Sequence, residues 1–237
     1  MRTSERRQLK QDKFAETTKE TLSWAVAHRK KLVAGIIVVV VVVVAVAAGL
    51  WVWNYRSQQA NTALGRALTV YNAPIVPVGT AVPSGMVVFN SAQERARAAR
   101  TELQKVANQY SSTTAGHMAE YLAAVSAINM GDLKVGEQEL KSLADSSNAD
   151  ISSLAKLSLA GVYRATNRNN DALQIYKSLV EHPTGTVSKA TAQLELASLY
   201  DATNQKSEAG KLYSEIMKDD PRSFAAGVAN QKLSSPK

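Results

Sequence analysis

Cysteine is absent from the 237 residues, so disulfides, thiolate nucleophiles, Cys-based metal sites and lipid attachment at an N-terminal Cys are all excluded. Histidine is scarce. The three residues, His28, His117 and His182, lie far apart with no metal-ligand partner at helical spacing, which reads as surface histidine. Gly-x-Ser-x-Gly, Gly-x-Gly-x-x-Gly and a phosphate-binding loop are missing as well. Glu137 and Glu139 fall on different helix faces and make a poor acid/base pair. The sequence implies neither an enzyme nor a cofactor nor a bound metal.

Charge is missing from one place above all. Residues 32–53 carry none, over a run that includes seven consecutive valines, Val38–Val44. At about 1.5 Å per residue this segment is about 33 Å long as a helix, enough for a hydrocarbon core of about 30 Å. Valine favours strands in water, but in lipid each backbone group must be satisfied within the segment, so the run becomes helix. Arg29-Lys30-Lys31 abuts one end, and Trp51, Trp53 and Tyr55 form an aromatic belt at the other. Positive charge stays in the cytoplasm, so residues after about 55 are expected on the far side. Ala45-Val46-Ala47 fits a signal-peptidase pattern, yet the basic region before it is too long and the apolar run continues past it. The segment reads as an uncleaved anchor.

The net charge of +8 is concentrated before this anchor, where nine Lys/Arg against four acids give 9 − 4 = +5. Basic residues beside an apolar span act as a topogenic signal and meet anionic lipid, and the aromatic–basic interleaving of single-strand binders is lacking. No nucleic-acid partner is expected. Phe14, Leu22 and Val26, with Trp24 nearby, fit either a short amphipathic helix on the inner leaflet or a partly ordered tail.

Beyond the anchor the pattern is helical. Ala60, Ala63, Leu64, Ala67, Leu68 and Tyr71 recur at three- and four-residue spacing, so the membrane helix is expected to run on to Asn72–Pro74. Residues 73–90 hold three prolines and two glycines and form a long loop, whose Val87, Val88 and Phe89 are expected to pack back onto the domain. A second helix starts at Ser91, with Glu94 completing a capping box and Ala99, Leu103, Val106 and Tyr110 on its buried face.

An internal repeat follows, at offsets of 36 and then 37 residues. Ala124, Ala160 and Ala197 align, as do Ala127, Tyr163 and Tyr200, then Gly131, Asn167 and Asn204. Gly136, Ala172 and Ala209 come next, then Leu140, Tyr176 and Tyr213, then Leu143, Leu179 and Ile216. Small residues let the two helices of each unit approach, and a Gly or Asn between them suits a left-handed helix end. The large residue of the second helix fills the space between units, so copies must stack.

These residues resemble the tetratricopeptide repeat. The resemblance implies an all-α fold: an N-terminal basic arm (1–31), a transmembrane helix (32–53) and a tetratricopeptide-repeat-like α-solenoid (54–237). Within the last, the loop 73–90 precedes repeats at about 115–148, 151–184 and 188–221, and residues 223–233, with Phe224, Ala225 and Val228, form a capping helix. The first repeat is degenerate, with Ala127 where Tyr is expected and Gly136 for Ala. The helix Ser91–Tyr110 resembles the second half of a still earlier unit, its first half being Gln58–Tyr71.

In such arrays the first helices line a concave groove. Mapped here, the partner-binding positions are Met118, Tyr121, Val125 and Ile128, then Leu154, Leu157 and Arg164, then Thr191, Leu194, Ser198 and Asp201. The near end is apolar and the far end polar. Either the groove takes a hydrophobic helix or extended segment of a partner, or its apolar residues pack under the anchor-derived helix and the loop.

The layout as a whole resembles a bacterial family. The segments that carry the likeness are Trp24-Ala25-Val26-Ala27-His28-Arg29-Lys30-Lys31, Trp51-Val52-Trp53-Asn54-Tyr55 and Leu159-Ala160-Gly161-Val162-Tyr163. They are similar to the ancillary subunit of the Sec translocon, a single-anchor inner-membrane protein with a periplasmic repeat domain. The resemblance implies an adaptor that works by protein contacts alone, with the translocon, a periplasmic chaperone and exported chains as partners. A scaffold for envelope assembly or cell division is the alternative expectation.

Overall fold

The computed structural model describes residues 28–234. Phe14, Leu22, Trp24 and Val26, on which the amphipathic-arm expectation rests, lie outside the described residues. Among the described residues there are nine helices and one isolated bridge, between Ile75 and Phe89. The helices are α1 (Arg29–Tyr71), α2 (Ala92–Gln109), α3 (Thr114–Asn129), α4 (Leu133–Ala144), α5 (Ala149–Ala165), α6 (Asn169–Glu181), α7 (Lys189–Ala202), α8 (Lys206–Asp219) and α9 (Phe224–Ser234). The chain divides at Tyr55/Arg56 into two compact units.

In the first unit, α1 is long and apolar enough to cross a membrane. Its valines and both tryptophans, Trp51 and Trp53, stand exposed, and the Trp51 and Tyr55 rings stack with centroids 6.1 Å apart.

The second unit is a row of helical hairpins, each helix packing on the next from α2 through α9. Its near end is built as the alanine spacing predicts. Ala67 of α1 is buried with Ala99, Leu103 and Val106 of α2 and Ala119 and Ala123 of α3, and the Arg56 guanidinium donates to the Gln109 carbonyl at 2.9 Å. The core then runs from Ala124 and Leu140 through Ala160, Tyr163, Ala172 and Tyr176 to Leu196 and Leu199. A last cluster joins Ala197, Ala209, Tyr213 and Ile216 to Ala225, Ala226 and Ala229. The alanines that align on the first helices, and Ala172 and Ala209 on the second, are all buried, so helix pairs meet over Cβ atoms. Gly136 departs from alanine for a reason: a Cβ there would lie 2.5 Å from the Ile128 Cγ1, because Ile128 occupies the space.

Each hairpin turns in the same way. Gly131, Asn167 and Asn204 have φ of 94°, 59° and 62°. Around them Asp132, Arg168 and Gln205 donate to the carbonyls of Ala127, Tyr163 and Tyr200 at 2.9, 2.8 and 2.8 Å. Gly131, Asn167 and Asn204 themselves donate to Ile128, Arg164 and Asp201. This is the Schellman arrangement, repeated three times. Asn tolerates the left-handed region better than other non-Gly residues. Asn167→Ala is therefore expected to cost about 1 kcal/mol and Asn167→Gly to be neutral or better, read as urea midpoints.

Helix starts are capped by Ser91, Thr113, Asn148 and Ser188, whose side chains accept from the first-turn amides. The box at Ser91 closes differently from the expected pattern: the Glu94 carboxylate accepts from the Asn90 amide at 3.2 Å, one residue earlier.

The loop 73–90 departs from expectation more. Its base is tied by Val76 N–H to the Phe89 carbonyl (2.9 Å), Phe89 N–H to the Pro74 carbonyl (3.1 Å) and the Arg95 guanidinium to the Ala73 carbonyl (3.2 Å). Val88 and Phe89 are half-buried as expected, but Val87 is 47% exposed and does not pack back. The physical reason is two turns, Pro77–Thr80 and Pro83–Met86, each with a glycine at positive φ in its third position, which carry the chain away from the helices. At the other end, α9 packs through Ala225, Ala226 and Ala229, while Phe224 is 85% exposed, since a first-turn side chain at that angle points away from α7 and α8.

Candidate functional site

The expected groove positions lie on the first helices of the hairpins, α3, α5 and α7. Met118, Tyr121, Val125, Ile128, Leu154, Leu157, Arg164, Leu194, Ser198 and Asp201 are all half-buried there, neither lost in the core nor fully open. Met118, Tyr121, Ile128, Leu154 and Leu157 lie against the central core, and Leu194 lies against the last cluster. The Tyr121 hydroxyl and Ser158 Oγ, 2.9 Å apart, tie α3 to α5. Farther along, the Arg164 guanidinium donates to the Glu195 carboxylate at 2.9 Å and ties α5 to α7.

Between α5, α6 and α7 lies a cavity of about 670 Å³, lined by Leu157, Ser158, Gly161, Arg164, Asn167, Asn169, Tyr176, Glu195 and Leu199 among others. Only Leu157 and Arg164 of the expected set reach it. Asp201 turns instead toward its own hairpin. The Tyr213 hydroxyl donates to Asp201 Oδ2 at 2.8 Å, and Lys206 approaches the other carboxylate oxygen at 3.2 Å. Burial first, and then the Asp201 carboxylate, push the Tyr213 hydroxyl up to about 12.

Gly161, Glu195 and the floor residue Tyr176 were not among the expected groove positions. Gly161 was within reach of the repeat offset, for it stands at the register of Val125 and Ser198. An added Cβ there would meet nothing within 4 Å, so the gap is open space rather than a packing necessity. The cavity's one full charge pair is internally balanced, which favours a neutral occupant over a charged one.

Ion pairs tie further helices of the array together. Arg100 of α2 makes two bonds to Glu139 of α4, at 2.8 and 2.7 Å, and also donates to the Ala123 carbonyl. Arg168 makes two bonds to Glu137, which Lys141 also approaches at 2.6 Å, and the Arg168 guanidinium lies 4.1 Å from the Tyr163 ring centroid. The two glutamates thus serve separate arginines. Bonds from Arg168 and then Lys141 hold the Glu137 carboxyl down at about 2. A depressed carboxyl contributes stability above its unfolded pKa, near the ordinary 4.5, and loses it as pH falls toward about 2. The loss of unfolding free energy between pH 5 and pH 2.5, measured by urea denaturation, should be smaller in Glu137→Gln than in wild type, by roughly 0.5–1 kcal/mol for so accessible a group.

The stacked hairpins define a helical-repeat protein of a class whose fold is typically non-catalytic and serves protein–protein interaction. Residues 27–181 match the family of tetratricopeptide repeat-like domains, and the chain belongs to that family. The hairpin α7–α8 lies beyond the matched residues and repeats the same turn geometry. No curated protein and no solved structure matches the chain.

Proposed function

We propose that this protein is a single-pass bacterial inner-membrane adaptor, its N-terminus cytoplasmic and its repeat unit periplasmic, that binds protein partners along the face of α3, α5 and α7. The exported chain, the Sec translocon and a periplasmic chaperone are the partners we infer. The observation that carries the reading is the cavity at Gly161, an unfilled gap on the repeat's binding face with apolar Leu157 on one flank and the Arg164–Glu195 pair on the other. Support for the membrane assignment comes from an apolar helix with Arg29, Lys30 and Lys31 at its start and stacked aromatics at the end of its uncharged run. A neutral, half-apolar face suits extended segments of many sequences, as an adaptor for exported chains requires.

Photo-crosslinking residues placed at Tyr121 and Leu157 in living cells test this. The adaptor reading expects many newly exported chains together with translocon subunits. A single stoichiometric envelope protein at both positions would replace it with a fixed scaffold.

A further inference from the structure

Four arginines among the described residues are half-buried: Arg95, Arg100, Arg164 and Arg168. Three of them face a glutamate, Arg100 with Glu139, Arg164 with Glu195 and Arg168 with Glu137. Arg95 does not. It enters no ion pair among the described residues, and its guanidinium makes one hydrogen bond there, to the Ala73 carbonyl at 3.2 Å. A guanidinium carries five N–H donors and stays charged at any pH a folded protein meets. Shielding such a charge from water without a counter-charge is unfavourable, so the position is suited to an anion from outside.

Arg95 lines a cavity of about 320 Å³ between the end of α1, the start of α2 and the end of α3. Tyr71, Asn72 and Asn129 line it too, and none of their side chains makes a hydrogen bond among the described residues. One charge and three further donors thus border one space. The rest of the wall is alanine of α2 and the Ser126 hydroxyl, which already donates to the Leu122 carbonyl at 2.7 Å. No acidic side chain lines the cavity. Glu94, beside Arg95 in sequence, accepts from the Asn90 amide instead. The bond to Ala73 holds the guanidinium in place before anything binds, so little ordering is left to do.

These features select among anions. A planar guanidinium meets a carboxylate through two parallel bonds, whereas a phosphate dianion would bring two charges against one. A zwitterionic amino acid would leave its ammonium without an acid to face. The volume lies near the lower end of ligand sites, which run from about 300 to 1,000 Å³, and so suits a short chain.

We propose that this cavity is a binding site for a carboxylate on a short, uncharged, apolar tail, with Arg95 pairing to the carboxylate and Tyr71, Asn72 and Asn129 donating to it. A free short-chain acid and the C-terminus of a peptide both carry this group. The site shares no lining residue with the cavity at Gly161, and it does not depend on the adaptor reading.

The test uses the full chain in lipid bilayer discs, with trifluoropropanoate as the probe and its fluorine resonance as the readout. Empty discs serve as the blank. Wild type should broaden the resonance saturably, with Kd on the order of 1 mM. Arg95→Gln keeps an N–H for the Ala73 carbonyl and should weaken binding at least about tenfold. Tyr71→Phe and Asn129→Ala, which leave the core intact, should each weaken it about threefold. Arg97→Gln removes an exposed arginine of the same helix that lines no part of the cavity, and should leave binding unchanged. Trifluoropropanamide, the neutral counterpart, should bind at least about tenfold more weakly than the acid. Competition then identifies the source. Displacement of the probe by propanoate alone assigns a free acid; displacement also by a capped alanine tripeptide with a free C-terminus, and not by its amide, assigns a chain end as well. Broadening that does not saturate, equal binding of acid and amide, or displacement by the amidated peptide overturns the proposal. So does wild-type affinity in Arg95→Gln. Should that variant fail to fold by circular dichroism, wild-type affinity in both Tyr71→Phe and Asn129→Ala overturns it instead.

Discussion

Gly116→Ala lowers the stability of the repeat unit by about 3 kcal/mol or abolishes its folding, the largest effect expected of a single methyl group in this chain. Gly116 sits in the first turn of α3, where its N–H donates to the capping Thr113 hydroxyl at 3.0 Å. A Cβ at Gly116 would lie 2.0 Å from the Tyr110 carbonyl oxygen and 2.6 Å from its carbon. Neither atom can move cheaply, because that carbonyl accepts both the N–H and the hydroxyl of Thr113, each at 2.9 Å. The turn between α2 and α3 must open, which separates Val106 and Leu103 from Ala119 and Ala123. The control is Gly161→Ala. With open space around it and helix propensity favouring alanine by about 1 kcal/mol, this variant should melt at or above wild type. Chemical denaturation followed by helical circular dichroism compares the two directly.

Tyr176→Ala is expected to cost about 3–5 kcal/mol. The side chain is 1% exposed and stands where each hairpin places its large residue, as Leu140 and Tyr213 do. It supports α5 and α7 at once and forms the floor under Arg164. Burial raises the Tyr176 hydroxyl, and the nearby Arg164 guanidinium opposes that shift. Tyr176→Phe keeps the packing and should lose only about 1 kcal/mol. In a stacked array each unit depends on its neighbours, so the alanine variant should unfold in two steps, α5–α8 before α2–α4.

The architecture was legible because a stacked repeat writes itself along the chain. Ala124, Ala160 and Ala197 had to be small for helices to meet, and Gly131, Asn167 and Asn204 had to be tolerant of positive φ for the hairpins to turn. Both demands are local and recur at the repeat offset. The site was less legible, for the residues that shape it act across units. Glu195 matters because Arg164 of the preceding first helix reaches it, and Asp201 is drawn to its own hairpin because Tyr213 claims it. Gly116 gave no signal in sequence, since its constraint is a carbonyl that only the folded turn brings near. The loop was misjudged at Val87 for a related reason. Apolar character predicts burial on average, whereas Gly79 and Gly85 decide the actual course of the chain.

Purification of the full chain from cells in mild detergent, wild type beside Gly161→Trp, tests the central claim most directly. Gly161 lines the cavity and an added Cβ there meets nothing within 4 Å, so an indole at this position is expected to occupy the cavity. The account predicts that wild type retains translocon subunits and exported chains, that the tryptophan variant loses them, and that both proteins melt alike. An identical set of partners on the two proteins would contradict it.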